Sequence, residues 1–412
     1  MQSNSFQCLI CNRTVTRDQK ELHKQKDPDG YKYAILWPEY YPLTDYCYDV
    51  DIPIYCSSFF SKALGVKKVY ILYEGKNISG SMKDYVVLKA INLAEKKKNS
   101  FFNLASSGNH ALSLANQTQR YGYYSMIFLP ESSSKLKYLA AYDNTLVIAV
   151  KEATYEDVYS LSNRINIKGV FNANISNELL ITGFQPVARK ICSLSPLPSH
   201  ILAGVGNGTY LSGLTWSFQH TFTKLPKIIP VGMKGAFPLE EAVHKNKNIY
   251  KYKEYGVDTK YIKEASGSIA LESYNMPQLI YALKLSNGFP LGGLQHIDLH
   301  NAYGLLMNEK HLMNNCIIPE PTGIMGLAAA IKYKDHFSSD DVLLISFTGS
   351  AFKSLDSIKR IAPEFITEVP IHFWQKCEYV NNKYFQNIIN VNKNISQEKL
   401  MTIIQNWMNN CL

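Results

Sequence analysis

The sequence predicts an α/β fold of two doubly wound parallel-sheet domains, and three observations lead there. From about residue 60 onward, short β-branched or aromatic runs alternate with amphipathic stretches of helical period. At 412 residues the chain is two to three times an ordinary ~150-residue domain, so two lobes are expected. Several strands hand over to helices through junctions rich in glycine, serine and asparagine, as parallel βαβ units require.

Each element has its own warrant. Residues 1–60 are rich in tyrosine and lack a clear period, so they read as irregular. Strands are expected at 68–73, 101–105, 124–129, 145–150, 200–205, 227–231 and 342–347. Helices are expected at 81–98, 109–121, 133–142, 155–165, 176–193 and 209–222. Lys96, Lys97 and Lys98 suit a helix C-terminus, and Gly122 stands where a helix-ending glycine belongs. Residues 245–260 and 288–293 read as loops, and the tail resumes as a helix at 397–410. The expected domains are a large one of 61–95 with 196–370 and a small mobile one of 96–195 that can close over a ligand in the cleft between them. Residues 371–412 form a helical extension.

Composition excludes several classes. Hydrophobic residues at 46% and charged residues at 19% are ordinary for a globular chain. The 28 Tyr, 18 Phe and 4 Trp are too many for a disordered protein. No run approaches the ~18 apolar residues of a membrane span, so no membrane partner is expected. The opening MQSNSFQCLICNRT lacks a basic stretch followed by an apolar one, so no secretory signal is expected and a cytoplasmic setting is. The net charge of +9 is scattered, and no nucleic-acid-binding signature accompanies it.

Eight cysteines in so long a chain read as reduced thiols rather than a disulfide scaffold. Cys8 and Cys11 have the spacing of half a zinc ribbon, with Cys47 and Cys56 as distant candidates. A structural zinc site usually has a second close pair. That pair is missing, so no metal is expected.

Three junctions carry the chemistry. Asn77-Ile-Ser-Gly-Ser-Met-Lys83-Asp84 sets a lysine in the first turn of a helix. A solvated surface lysine is the bland alternative, but a helix N-terminus is a poor place for a cation, and a desolvated amine there becomes a nucleophile. Ser106-Ser107-Gly108-Asn109-His110 follows a strand and offers N–H groups and hydroxyls to a carboxylate, more than one N-cap needs. Gly204-Val205-Gly206-Asn207-Gly208-Thr209-Tyr210 suits a phosphate at a helix start. It fails the dinucleotide fingerprint, whose third glycine falls on Thr209 or Leu211.

In that chain order these motifs resemble the fold type II pyridoxal-phosphate enzymes, the tryptophan synthase β-subunit superfamily, over about residues 50–365. The threonine-synthase-like branch is nearest. Asn77–Asp84 is similar to its NPTGSFKD segment, with Ile78, Ser79 and Met82 departing; Thr348-Gly349 and Glu320-Pro321-Thr322-Gly323 are similar to later segments lining the same cleft. The resemblance implies pyridoxal 5'-phosphate as cofactor, with Lys83 as its Schiff-base lysine and proton shuttle. It implies Asn109 at the phenolic oxygen, Gly206, Asn207, Gly208, Thr209 and Tyr210 around the phosphate, and Thr348 at the ring nitrogen. Ser106, Ser107, Gly108 and His110 would hold the substrate carboxylate. The implied activity is elimination or replacement at the β or γ carbon of an activated small amino acid such as O-phosphohomoserine, by a homodimer. A serine/threonine dehydratase-type deaminase, a nucleotide-binding oxidoreductase and a non-catalytic paralogue are the alternatives.

One departure bears on the substrate. In the segment 172–183, the arginine that such synthases use for the substrate phosphate is replaced by Leu180. Either the leaving group differs, or the register is shifted and Arg189 or Lys135 supplies the charge. The degenerate N-terminal cysteine pattern likewise suggests a divergent paralogue.

Overall fold

Two parallel β-sheets, each in its own structural unit, organise the chain. The computed structural model describes residues 5–26, 33–39, 52–106, 108–133, 135–221, 224–237, 239–244, 265, 273–368 and 387–411. The expected loop at 245–260, Ser107, Cys47 and Cys377 fall outside them. One unit comprises Met1–Met82 with Glu178–Lys376, the other Lys83–Asn177 with Cys377–Leu412.

In chain order the described strands begin with β1 (Ser5–Cys8), β2 (Thr14–Thr16), β3 (Leu36–Pro38), β4 (Ile54–Cys56) and β5 (Lys68–Tyr73). Then come β6 (Phe101–Ala105), β7 (Tyr124–Pro130), β8 (Thr145–Lys151) and β9 (Val170–Asn172). The series closes with β10 (His200–Gly204), β11 (Lys227–Met233), β12 (Leu291–Leu294), β13 (Val342–Phe347) and β14 (Ile388–Asn392).

The first unit holds a six-stranded sheet in the order β12-β11-β10-β13-β5-β4. All pairs are parallel except β4 with β5. β10 and β13 are buried along their whole length, which is why they appear in sequence as continuous rather than alternating apolar runs. β10 lies between β11 and β13, so the strand order reverses at its edge. The carboxyl ends beside it are where an open α/β sheet binds ligands.

The N-terminal segment, expected to be irregular, contains an antiparallel sheet, β2-β1-β3. Its strands are three or four residues long, too short to reveal a period. Trp37 Nε1 donates to Gln219 Oε1 (2.9 Å), and Trp216 Nε1 donates to the Pro38 carbonyl (2.7 Å), fastening this sheet to the body of the first unit.

The second unit holds five parallel strands in the order β14-β8-β7-β6-β9. The tail contributes β14, which the sequence did not announce, and the helix Gln397–Cys411. Trp407 meets Phe101 and Tyr124 edge-on at 5.7 and 6.1 Å. Helix Asn109–Arg120 ends at Gly122 as expected, with Tyr123 N donating to Thr118 O (2.8 Å) and Gly122 N to Gln119 O (3.4 Å).

Two expected helices are altered. Residues 176–193 form a 3₁₀ segment, Glu178–Phe184, followed by helix Gln185–Cys192. Pro186 explains the break, because it has no N–H to continue an α-helix and its ring clashes with the carbonyl four residues back. The 133–142 stretch keeps only Leu136–Leu139 as helix, since its serine-rich start turns instead, with Lys135 N bonding to Ser133 Oγ.

Candidate functional site

In the first unit, three segments meet at the carboxyl edge of the sheet. The glycine turn leaves β10, and helix Thr209–Gln219 begins at its end. Gly208 is the residue before that helix, at φ +89°, and a Cβ there would stand 2.9 Å from Leu279 Cβ. Only glycine takes this turn without strain. The turn is held from behind: Asn207 Oδ1 accepts from Tyr274 N (3.0 Å), and the Gly206 carbonyl accepts from Ser273 Oγ (3.2 Å). Thr209 Oγ1 donates to Asn275 Oδ1 (2.8 Å), and the Tyr210 hydroxyl reaches Glu74 Oε1 (3.3 Å) and Ser346 Oγ (3.2 Å). Those side chains therefore brace the turn. What Thr209 and Tyr210 offer an anion is their backbone N–H groups, which a helix start leaves without an intrahelical acceptor.

The second segment is 77–82. Asn77 Nδ2 donates to Glu74 Oε2 (3.0 Å) and to the Ser81 carbonyl (3.1 Å). The nearly buried Lys353 places Nζ on the Ser79 and Gly80 carbonyls (2.8 and 3.3 Å). The third segment follows β13. Ser81 bridges Gly349, Met82 N donates to the Thr348 carbonyl (3.0 Å), and Ser350 N donates to the Gly80 carbonyl (2.9 Å). Glu320 N reaches the Gly349 carbonyl (2.9 Å), so 320–323 lines the same edge. Thr348 is 3% exposed. The chain is thus anchored at Thr348 immediately before Lys83.

In the second unit, Lys83 is the first residue of helix Lys83–Glu95, and Asp84–Ala94 are buried. Lys83 is half-buried, and desolvation lowers its pKa to about 8. Ser106 N donates to the Phe128 carbonyl (3.1 Å), and Gly108 N donates to Ser106 Oγ (3.3 Å), which shapes the turn before helix Asn109–Arg120. His110 is buried, and among the described residues its Nε2 has no hydrogen-bond partner. Burial, and secondarily the Lys83 charge, hold its pKa well below the usual value, so the ring is neutral. Buried Asp84 accepts a short hydrogen bond from Ser113, joining the helix of Lys83 to that of Asn109 and His110.

The supporting residues were not read from the sequence. Glu74 contacts Tyr210 across a sequence separation of 136, and no local pattern announces such a pair. Asn174 is fully buried, and its Oδ1 accepts from Ala105 N (2.8 Å), pinning the end of β6 just before Ser106. Asp84 was visible beside Lys83, but its tie to Ser113 was not. Lys89, on the same helix as Lys83, has a pKa lowered still further, to about 7, by desolvation and then Lys96.

Leu180 is 0% exposed within the 3₁₀ segment, a core residue of the first unit. Arg189 is exposed near the end of helix Gln185–Cys192, while Lys135 is nearly buried in the second unit.

The first unit offers backbone N–H groups at a glycine turn, which suit a phosphate, and a buried neutral hydroxyl on Thr348. The second offers an amine of lowered pKa, which suits an aldehyde, and a buried imidazole nitrogen with capacity to spare.

Comparison with known proteins agrees with this chemistry. A family model described as "Pyridoxal-phosphate dependent enzyme" matches residues 50–349. The threonine synthase of Methanocaldococcus jannaschii is 25% identical over 344 residues, 79% of this chain and 82% of that protein. The biosynthetic L-threonine dehydratase IlvA of Staphylococcus aureus is 23% identical over 303 residues, 69% of this chain and 66% of that protein. In fold, the chain is similar to the processed form of threonine deaminase isoform 2 from Solanum lycopersicum. The TM-score is 0.60 at 19% identity, covering 76% of this chain and 88% of that one.

Proposed function

This chain belongs to the pyridoxal-phosphate dependent enzyme family, and we propose that it catalyses elimination or replacement at the β or γ carbon of a small activated amino acid. The observation that carries the reading is Lys83, an amine with pKa lowered to about 8 at a helix start, on a helix tied through Asp84 and Ser113 to the one bearing His110.

When bound, the cofactor supplies an aldehyde for the lysine amine and an electron-accepting ring for charge that develops at the substrate's α-carbon. Lys83 would be its attachment point, and Asn109 would lie at its phenolic oxygen. The N–H groups of 206–210 would hold its phosphate. Thr348 would offer the ring nitrogen a hydroxyl, a neutral partner that would keep the ring a moderate acceptor and favour loss of a leaving group. Ser106, Ser107, Gly108 and His110 hold the substrate carboxylate. Because His110 is neutral, it does so by N–H donation rather than by charge. Lys83 Nζ then moves the α-proton.

Buried Leu180 and exposed Arg189 favour a second reading within the same chemistry, deamination of a hydroxy amino acid. A leucine offers nothing to a phosphate leaving group, whereas a hydroxyl needs no charged clamp. We take the working form to be a cytoplasmic homodimer.

The test is turnover by cofactor-loaded protein of phosphohomoserine, phosphoserine, acetylserine, serine and threonine, with products identified by mass spectrometry. Release of a 2-oxo acid indicates deamination. A new amino acid that appears only with an added nucleophile indicates replacement, and Lys83→Ala abolishes either. No turnover of any substrate would leave a non-catalytic paralogue as the better account.

A further inference from the structure

Apart from the residues of the proposed chemistry, the N-terminal hairpin gathers three ligating side chains. β1 and β2 pair with Phe6 opposite Val15, and helix Lys20–Gln25 follows. Cys8 ends β1 and is buried, while Cys11 is exposed in the turn. The turn is tightly made: Cys8 N donates to Arg13 O and Asn12 N to Cys8 O, both at 2.9 Å. The backbone N–H groups of Ile10 and Cys11 point at the Cys8 sulfur. His23, on the helix, brings Nε2 to 3.7 Å from Cys11 Sγ. Ligand atoms of Cys8, Cys11 and His23 all lie within 4.8 Å of one another.

These distances can be set against a metal's requirements. A tetrahedral ion bound at about 2.3 Å by sulfur and about 2.0 Å by nitrogen holds its ligand atoms roughly 3.6–3.8 Å apart. The Cys11–His23 edge already has that length, and the remaining edges need to close by about 1 Å or less. A thiol–imidazole hydrogen bond would explain the Cys11–His23 pair alone. It does not explain the third ligand or the N–H groups turned toward Cys8.

We infer that Cys8, Cys11 and His23 bind one Zn²⁺, with water at the fourth position. The exposure of Cys11 opens that position to solvent. By spacing alone the cysteines suggest no metal, because a second close pair is missing. The structure supplies instead a histidine twelve residues after Cys11, brought in by a helix. That helix also carries Lys20 and Lys24, which pair with Glu178. The ion would thus hold the helix on its hairpin side while Glu178 holds it on the other.

The test uses the full chain, reduced, stripped with a chelator, and titrated with Co²⁺ and then Zn²⁺. We expect one equivalent of Co²⁺ to give thiolate charge transfer and the strong d–d bands of a tetrahedral site, and one equivalent of Zn²⁺ to erase them. Cys11→Ser and His23→Ala alter accessible positions and should leave the fold intact. Each should weaken Co²⁺ binding at least tenfold and abolish the Zn²⁺-induced rise in melting temperature. A weak octahedral spectrum would overturn the inference, as would a tetrahedral one that both variants leave unchanged. Neither result depends on the amino-acid chemistry proposed above.

Discussion

Lys83 and Lys89 share a helix, and burial lowers the pKa of both, to about 8 and about 7. The depression alone would select Lys89, so position has to decide. Lys89 is sealed in the helix interior at 3% exposure, whereas Lys83 stands half-buried at the helix start, after a loop stitched to Thr348 and Gly349. A nucleophile must be both deprotonated and reachable. At pH 7 a pKa of about 8 leaves roughly a tenth of the amine neutral, about 300-fold more than an ordinary lysine. Raising the pH removes the proton, so cofactor uptake by stripped protein should accelerate through about pH 8 and then level off. Visible absorbance follows it, and a midpoint near that of a free lysine would contradict the burial argument. Gly208 gives a second prediction at this scale. Gly208→Ala forces a side chain into a left-handed backbone against Leu279, at a cost of ~1–3 kcal/mol. If that strain opens the turn, half-saturation should need roughly tenfold more pyridoxal phosphate. An unchanged affinity would mean that the turn does not hold the phosphate.

Among elements, the segment Glu178–Phe184 shows best what was legible and what was not. The apolar pattern of 176–193 indicates one helix, whereas Pro186 breaks it into a 3₁₀ segment and a shorter helix. Other losses had different physical causes. Strands of three or four residues in the N-terminal sheet give no period to detect. The partners of Glu74, Asn174 and Glu178 are distant in sequence, and buried polar pairs of that kind come from tertiary packing. The glycine turn, the SSGNH junction and the lysine helix were legible because each combines a local backbone demand with a chemical one. Glu178 itself is 1% exposed between Lys20 and Lys24, whose charges and hydrogen bonds outweigh burial and hold its pKa at about 2. The folded carboxylate stays charged where the unfolded one protonates. Its stabilisation is therefore complete above about pH 4.5 and is lost as the pH falls toward 2. Glu178→Gln should cost about 3 kcal/mol near neutrality by urea unfolding, with the deficit shrinking below pH 4.5. A deficit independent of pH down to 3 would show that the ion pairs are not its source.

For the molecule as a whole, the two units divide the proposed labour. The first brings the glycine turn, Thr348 and the 77–82 loop to one sheet edge. The second carries Lys83 and His110 on helices joined through Asp84. Among the described residues no helix is long and apolar enough to cross a membrane. Membership in the pyridoxal-phosphate dependent family fixes the cofactor class, while buried Leu180 leaves the leaving group to experiment. The account depends most on which amine the cofactor joins. Protein loaded with pyridoxal phosphate should be treated with borohydride, digested and mapped by mass spectrometry. The account predicts the reduced cofactor adduct on the peptide containing Lys83, near one per chain. An adduct confined to Lys89 or Lys353, or no stable adduct at all, would contradict it.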